Sequence, residues 1–381
     1  MNMPSDKTVL HTPVDMTRTM PPEIPGLNSR IRGALAHVSE LNDLDLIVQR
    51  HRFFGTSGEK EVAANWLERR LQLNLDREQL YITGGTQACL AVLLPFLIGR
   101  GGCIATETMS YAGTTQVARL FGIPVVGVEI DEQGVLPDAF ERVCKRDRPK
   151  VLYCNPTIHN PTTSILPMER RLAIAEVARK YSVAIIEDDV HAKLVPDAPP
   201  PIAAVAPDIT WYLMSVSKCI GMGLRLAFLV APSPAALAHV RAWVPSVSSW
   251  FVGGIASALV TQLIRTGAAD EIAGEVRSEV EERQSVAQEA LKGLSFQSKK
   301  NSLHLWLTLP EHWTVAGLVH AVEPKNVVIR PSDLFNAGGI TMPNKLRLSL
   351  VSPKTRHDLR YAMSTIVDTL QSEPADDHRL R

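Results

Sequence analysis

The chain has 381 residues, of which 45% are hydrophobic and 21% are charged, as in ordinary globular proteins. Its 40 basic and 40 acidic side chains give a formal net charge of zero, so no basic excess indicates binding to nucleic acid. The five cysteines lack Cys-x-x-Cys spacing and are expected to be free thiols of a cytoplasmic protein.

The first 25 residues are polar and proline-rich and lack the apolar core of a secretory signal, so an irregular N-terminal arm is predicted. Apolar residues at three- and four-residue spacing predict helices at 27–48 and 59–73. The longest apolar stretch, 90–98, contains Pro95 and is too short to span a bilayer. We therefore expect no membrane partner.

From residue 80 to about 244, short β-branched runs alternate with helical segments. The predicted strands are 79–83, 102–107, 125–130, 151–155, 183–188, 210–215 and 226–230, and the predicted helices among them are 87–99, 114–122, 138–145 and 168–181. This alternation predicts an α/β fold with a mostly parallel seven-stranded sheet that is covered on both faces. Ligands of such sheets bind beyond the carboxyl ends of the strands.

The pattern changes near residue 245. One or two long helices are predicted within 250–294, and short strands are predicted at 304–308, 327–329 and 346–350. They indicate a smaller α+β domain. The predicted domains are an arm at 1–25, a large domain at 71–245, and a small domain that combines 26–70 with 246–381.

Lys218 is the most informative residue of the chain. It ends the segment Ser215-Val216-Ser217-Lys218, which follows an apolar strand, and Gly221-Met222-Gly223-Leu224-Arg225 comes shortly after it. A solvated surface charge explains this position poorly, whereas an amine that forms a Schiff base beside a phosphate explains it well. The sequence therefore predicts pyridoxal phosphate (PLP) as the cofactor.

Other strand ends carry residues that suit the same cofactor. Gly85 and Thr86 begin a helix, whose first N–H groups can bind an anion, although a plain strand-to-helix turn accounts for them equally well. Tyr111 follows another strand, and its ring either stacks on a flat cofactor or packs in the core. Asn160 lies in a loop with two Asn-Pro steps, which present amide side chains in a rigid turn.

Charged residues complete the set. Asp188 ends a buried strand, and a carboxylate beside a pyridine nitrogen keeps that nitrogen protonated. Its neighbours Glu187 and Asp189 are interpreted as structural. Arg225 is suited to clamp a phosphate. Arg347, within an apolar strand, needs an anionic partner, either a substrate carboxylate or a structural acid.

In order and spacing, these elements resemble the fold type I PLP-dependent aminotransferases, the aspartate aminotransferase superfamily, over about residues 26–366. The closest resemblance is to the aminotransferase-like domain of GntR/MocR-type proteins. It is carried by Ile186-Glu187-Asp188-Asp189-Val190, His304-Leu305-Trp306-Leu307 and Leu346-Arg347-Leu348-Ser349. Only a short arm precedes this domain, so neither a DNA-binding domain nor a nucleic-acid partner is expected.

The resemblance implies roles for the matching residues. Lys218 would form the Schiff base and transfer the substrate's α-proton, and Asp188 would pair with the ring nitrogen. Tyr111 would stack on the ring, and Asn160 would donate to its phenolic oxygen. Arg347 would bind the substrate carboxylate. The implied phosphate ligands are Gly85, Thr86, Ser215 and Arg225, with Ser217 as a further candidate.

His191 is the main departure from the family pattern. The family usually has a tyrosine at this position, three residues after Asp188, and that tyrosine donates to the phenolic oxygen. We expect the imidazole to replace it as a catalytic group, with a charge that depends on pH. Substrate selectivity is expected to depend on the N-terminal arm and on the region around Trp250 and Phe251. No metal is expected.

The resemblance further implies a homodimer with its sites at the subunit interface. The implied activity is an aminotransferase that converts an α-amino acid to a keto acid. Two alternatives stay open: a PLP-dependent lyase, cyclase, decarboxylase or oxidase of the same fold, and a non-catalytic module that senses PLP or an amino acid.

Overall fold

The computed structural model describes residues 12–50, 52–244 and 252–374. The first regular elements are β1 (Val14–Asp15), α1 (Leu27–Ser39), α2 (Leu44–Gln49) and α3 (Ser57–Leu71). The single helix predicted at 27–48 is therefore two helices. The arm predicted to be irregular contains a strand, because β1 pairs in parallel with residues 327–328. A capping box between Thr56 and Glu59 fixes the start of α3.

Strands and helices then alternate as the sequence predicts. In chain order they are β2 (Leu80–Thr83), α4 (Thr86–Ile98), β3 (Ile104–Glu107), α5 (Ala112–Leu120), β4 (Val125–Val128), β5 (Ile130–Asp131), β6 (Gly134–Val135), α6 (Pro137–Asp147), β7 (Val151–Cys154), α7 (Met168–Tyr181), β8 (Ala184–Asp188), α8 (Ile202–Val205), β9 (Thr210–Ser215), β10 (Ala227–Val230) and α9 (Pro234–Trp243). Each predicted strand of this region is present, and α7 has the predicted bounds.

Seven of these strands form one sheet in the order β2-β10-β9-β8-β7-β3-β4. Neighbouring strands from β9 to β4 run parallel, whereas β10 runs antiparallel to both β9 and β2. Strands β2, β3, β7, β9 and β10 are buried along their whole length, as expected for a sheet covered on both faces. The carboxyl ends of β2, β3, β7, β8 and β9 therefore lie along one edge.

The C-terminal part contains α10 (Gly254–Arg265), α11 (Ala268–Ala290), β11 (Phe296–Gln297), β12 (His304–Thr308), α12 (Val315–Val322), β13 (Val327–Val328), β14 (Lys345–Ser349) and α13 (Arg356–Gln371). Strands β11, β12 and β14 form an antiparallel sheet in that order. Leu307, Leu348 and Ile366 belong to a hydrophobic core of this part. The domain boundaries given above stay a prediction.

Helix α3 packs towards the large sheet. Trp66 lies in a hydrophobic cluster with Leu80 and Phe228, and the rings of Trp66 and Phe228 are 5.9 Å apart. Trp250 and Phe251, predicted to affect selectivity, lie outside the described residues. Among the described helices none is long and apolar enough to cross a membrane.

Candidate active site

Asp188, the last residue of β8, is buried at the carboxyl edge of the large sheet. Its Oδ2 accepts a hydrogen bond of 2.8 Å from Tyr153 Oη, whereas its Oδ1 has no partner among the described residues. Burial raises the pKa of Asp188 to about 7, and the Tyr153 hydroxyl opposes this rise. A buried carboxylate oxygen without a partner fits a donor that a bound group supplies.

The two acids beside Asp188 have partners inside the protein. Glu187 accepts two backbone N–H hydrogen bonds of 2.8 Å from the start of α8. Asp189 forms a buried ion pair with Arg70, whose Nε lies 2.9 Å from Asp189 Oδ2. These contacts agree with the structural interpretation of both residues. Asp189 Oδ1, like Asp188 Oδ1, has no partner among the described residues, but the Asp189 carboxylate is paired with Arg70.

Lys218 follows β9 by three residues, and its Nζ lies 2.6 Å from Thr19 O and 3.1 Å from Thr19 Oγ1. Burial lowers the pKa of Lys218 to about 8, and Arg347 adds to this effect, whereas Asp188 opposes it. A large fraction of the amine is therefore neutral near pH 8. The neutral form is the nucleophile that attacks an aldehyde.

The segment 17–19 covers this edge of the sheet. Thr17 O accepts a hydrogen bond from Arg347 Nη2, and Arg18 O accepts one of 2.5 Å from Ser349 Oγ. Together with the lysine contact, these bonds join the N-terminal segment to both sheets. These bonds carry no sequence signal, because their acceptors include backbone carbonyls, which every residue has.

Arg347 lies beside the loop that follows β7. Its Nη1 donates a hydrogen bond of 2.9 Å to Asn160 Oδ1, and its guanidinium carbon lies 4.8 Å from the ring centroid of Phe335. Burial lowers the pKa of Arg347 to about 10, and Arg330 acts in the same direction. Its Nε has no hydrogen-bond partner within the described ranges. Such a partly buried cation suits an anionic ligand.

Asn155 holds the loop that carries Asn160. Its Oδ1 accepts a hydrogen bond of 3.1 Å from Asn160 N, and its Nδ2 donates to Asp188 O. Tyr153 had no predicted role, and Asn155 was a candidate only as one of the amide side chains of the two Asn-Pro steps. Tyr153 lies in β7 and Asn155 directly follows its last residue, Cys154, so a two-residue spacing is the signal that would have linked them.

The predicted phosphate ligands lie near the start of α4 and the end of β9. Gly85 precedes α4 with a φ of 105°, a conformation that favours glycine. A Cβ at Gly85 would lie 3.4 Å from Arg225 Nη2, so the guanidinium lies against the helix terminus that Thr86 begins. Ser215 Oγ lies 3.0 Å from Ser217 Oγ. An arginine beside a helix N-terminus favours binding of a phosphate.

Tyr111 precedes α5 and is partly buried near the charged residues of the site. Burial raises the pKa of its hydroxyl, Asp188 raises it further, and Arg225 and Arg347 oppose the rise. A Cβ at Gly113 would approach the Tyr111 ring to 2.4 Å, so glycine at this position leaves room for the ring.

His191 is buried, and neither ring nitrogen has a hydrogen bond of ordinary geometry to a described residue. Burial lowers the pKa of His191 to about 3, and Lys218 acts in the same direction. The imidazole is therefore neutral near pH 7, and its charge changes only in acid. Its ring centroid lies 6.3 Å from that of His304, a residue without a predicted role.

These groups fit PLP. The unpartnered Asp188 Oδ1 suits a protonated ring nitrogen, the Lys218 amine suits an aldehyde, and Arg225 beside the start of α4 suits a phosphate. Among the described residues, no group of His, Cys, Asp and Glu side chains is arranged to hold a metal ion.

Comparison with known proteins agrees with this fit. The family model of aminotransferase class I and II matches residues 34–366. The chain belongs to this family. A 2-aminoadipate transaminase from Thermus thermophilus is 29% identical over 284 residues, which cover 71% of the chain and 70% of that enzyme. The uncharacterized HTH-type transcriptional regulator YdeF of Bacillus subtilis is 25% identical over 319 residues, which cover 81% of the chain and 67% of the regulator.

A solved structure has the same fold. LysN, an α-aminoadipate aminotransferase from Thermus thermophilus complexed with N-(5'-phosphopyridoxyl)-L-leucine, matches with a TM-score of 0.84 and 25% identity, over 95% of the chain and 93% of LysN. The predictions of fold type I, of an amino-acid aminotransferase and of PLP as its cofactor are confirmed. The roles of the individual residues stay predictions.

Proposed function

We propose that Lys218 binds the PLP of this aminotransferase and transfers the α-proton of the amino-acid substrate. The proposal depends on one observation above all. The partly buried Lys218 amine, whose pKa is lowered to about 8, lies near Asp188, whose buried Oδ1 has no partner among the described residues. A nucleophilic amine and an unpaired carboxylate are the two groups that PLP chemistry requires of the protein.

Bound PLP would supply an electron sink that makes the α-proton of the amino acid acidic. Asp188 would pair with the ring nitrogen, and Tyr153 would hold Asp188 ionised through its 2.8 Å hydrogen bond. Asn160 and His191 would contact the phenolic oxygen, and Tyr111 would stack on the ring.

The phosphate and the substrate carboxylate would be bound by separate arginines. Arg225 and the N-terminus of α4 would bind the phosphate, with the hydroxyls of Ser215 and Ser217 nearby. Arg347 would bind the α-carboxylate. Backbone carbonyls of segment 17–19 accept hydrogen bonds from the side chains of Arg347 and Lys218. This segment must shift when the substrate binds Arg347 and the cofactor binds Lys218.

We further propose a cytoplasmic homodimer that has no nucleic-acid partner. Five free cysteines support a reducing compartment, and zero formal net charge supports the absence of nucleic acid. A cavity of about 670 Å³ that Leu120, Leu224 and Arg225 line supports a subunit interface beside the phosphate ligands. Leu120 is 71% exposed in the single chain, as a side chain covered by a second subunit would be.

The reaction is tested by incubating the PLP-loaded protein with α-amino acids, with and without a keto-acid acceptor. Transamination predicts equal amounts of new keto acid and new amino acid. It also predicts that many turnovers occur only when the acceptor is present. Product that forms without acceptor, together with ammonia, carbon dioxide or hydrogen peroxide, would favour a lyase, decarboxylase or oxidase instead. Lys218→Ala is the control for reaction of free PLP.

A further inference from the structure

Three buried histidines lie together between the two sheets. His159, His191 and His304 are 2%, 3% and 1% exposed, so water contributes little to their hydrogen bonding. His159 has a hydrogen-bond partner on one nitrogen only, because its Nδ1 lies 2.7 Å from Thr162 Oγ1 whereas its Nε2 has none among the described residues. Neither nitrogen of His191 or of His304 has a partner of ordinary geometry among the described residues. Two adjacent buried imidazoles without partners are unusual, because buried polar groups normally form hydrogen bonds.

His304 and Arg347 occupy the same face of the C-terminal sheet. Trp306 lies opposite Arg347 and His304 lies opposite Ser349 in the antiparallel pairing of β12 with β14. Because side chains alternate along a strand, His304 and Arg347 both point towards the loop that contains Asn160. His304 therefore faces the end of the large sheet, where His191 lies.

The two rings are close enough to interact. Their centroids are 6.3 Å apart, and the planes are inclined by 53°. An imidazole ring has a radius of about 1.1 Å, so facing nitrogens would be about 4 Å apart, roughly 1 Å beyond a hydrogen bond. A small closure of the two sheets, or a rotation with one bridging water, would join the rings.

The interaction matters because His191 has one N–H to offer. A neutral imidazole carries a proton on one nitrogen and a lone pair on the other, and the partner of one nitrogen decides the state of the other. His191 is neutral because burial lowers its pKa to about 3. Burial likewise lowers the pKa of His304, and Arg347 adds to that effect.

We propose that His304 is a positioning residue that fixes the tautomer of His191 through a hydrogen bond, direct or by one water, and so defines the nitrogen that faces PLP. His304 would act on the cofactor only through His191, without touching the reacting atoms. This inference rests on the proposed role of His191 at the phenolic oxygen. A hydrogen bond between His304 and His191 would connect β12, which lies beside the substrate-binding Arg347, to a group that would contact the cofactor ring.

Backbone carbonyls are the competing partners. The backbone at Thr157 and Ile158 opposes the burial-driven fall in the pKa of His191, and the backbone at His159 does the same for His304. None of these carbonyls makes a hydrogen bond of ordinary geometry with the two rings. If the carbonyls alone fixed the tautomer of His191, removal of the His304 nitrogens would leave that tautomer unchanged.

The tautomer is read from two-bond ¹H–¹⁵N correlation spectra of ¹⁵N-histidine-labelled protein, with and without PLP. His191→Gln assigns the signals among the eleven histidines of the chain. His304→Phe removes both nitrogens and keeps an aromatic ring, whereas His304→Asn keeps a donor and an acceptor. Trp306→Phe is the matched control, because it alters the same buried strand face and retains His304.

We expect one tautomer of His191 in the wild type, in Trp306→Phe and largely in His304→Asn, and a mixture of both in His304→Phe. With PLP bound, we also expect a shifted pH midpoint of the visible absorbance in His304→Phe alone. An unchanged His191 tautomer in folded His304→Phe would overturn the inference. Failure of the wild type to bind PLP would instead overturn the proposed function, since the cofactor-free spectra test the histidine pair independently.

Discussion

Tyr153 Oη donates a hydrogen bond of 2.8 Å to Asp188 Oδ2 within the buried part of the large sheet. Burial raises the pKa of Asp188 to about 7, and this hydroxyl opposes the rise by stabilising the carboxylate. Tyr153 would therefore act on the cofactor through Asp188, because an ionised Asp188 is what keeps the ring nitrogen protonated.

Tyr153→Phe is expected to lower kcat/KM by roughly 10- to 100-fold and to weaken PLP binding. The reason is that a hydrogen bond to a charged group contributes about 1.5–3 kcal/mol. Steady-state kinetics and PLP titration measure both effects. Tyr212→Phe is the matched control, because Tyr212 Oη donates a buried bond of 3.1 Å to Asp189 rather than to Asp188. Equal kinetics of Tyr153→Phe and wild type would refute the assigned role.

Asp188→Asn is expected to stabilise the PLP-free protein at pH 8 relative to the wild type, while it abolishes most activity. The folded-state pKa of about 7 lies above the unfolded value of about 3.9. Between these two pH values, folded Asp188 retains a proton that unfolded Asp188 has lost. Its contribution to the free energy of unfolding is therefore full below about pH 4 and is lost as pH rises to about 7. Denaturant unfolding at pH 5 and pH 8 measures the difference.

Asp189→Asn is the control for that experiment. It removes the carboxylate that pairs with Arg70, so it is expected to destabilise the protein by about 3–5 kcal/mol at both pH values. Destabilisation of the PLP-free protein by a similar amount in Asp188→Asn would mean that the Asp188 carboxylate makes a stabilising contact within the protein. Asp188 would then have a structural role.

The rate of PLP incorporation into the PLP-free protein is expected to rise with pH to a midpoint near 8. Burial lowers the pKa of Lys218 to about 8, so the neutral nucleophile accumulates from that pH instead of from about 10.5. His191, with a pKa lowered to about 3 by burial, should add no step near pH 6.5. Stopped-flow absorbance measures the profile. A midpoint near 10 would show that Lys218 is not desolvated.

Arg347→Ala is expected to raise the KM for an α-amino acid at least 100-fold, which corresponds to about 2.7 kcal/mol of lost carboxylate binding. The matched test uses the corresponding amine, which lacks the carboxylate and should react similarly with wild type and variant. Initial rates with both substrates give the comparison. If the substitution lowered the initial rate with the amine as strongly as with the amino acid, Arg347 would have a structural role and would not bind the substrate carboxylate.

Local periodicity predicts local elements well. Helix α7 (Met168–Tyr181) and strand β9 (Thr210–Ser215) have the predicted bounds. The 3.6-residue spacing that predicts the helix and the apolar run that predicts the strand both lie within a short stretch of the chain. The antiparallel direction of β10 and the pairing of β1 with β13 were not predicted. Both depend on contacts between residues far apart in the chain.

The same distinction holds for the site. Asp188 and Lys218 were predicted because strand ends of a parallel sheet converge on one edge. Thr19 was missed because its carbonyl, which accepts from Lys218 Nζ, carries no sequence signal. Tyr153 and His304 were missed because their importance depends on which face of a strand each occupies and on what lies opposite.

Lys218 is the residue that we propose holds the cofactor. Borohydride reduction of the PLP-loaded protein, followed by proteolysis and mass spectrometry, locates the phosphopyridoxyl group. We predict the label on the peptide that contains Lys218 and its loss in Lys218→Ala. Lys193 is the internal control, because it is also a partly buried lysine with a lowered pKa but pairs with Asp270. A label on Lys193 or on any other lysine, with Lys218 unmodified, would show that Lys218 does not hold the cofactor.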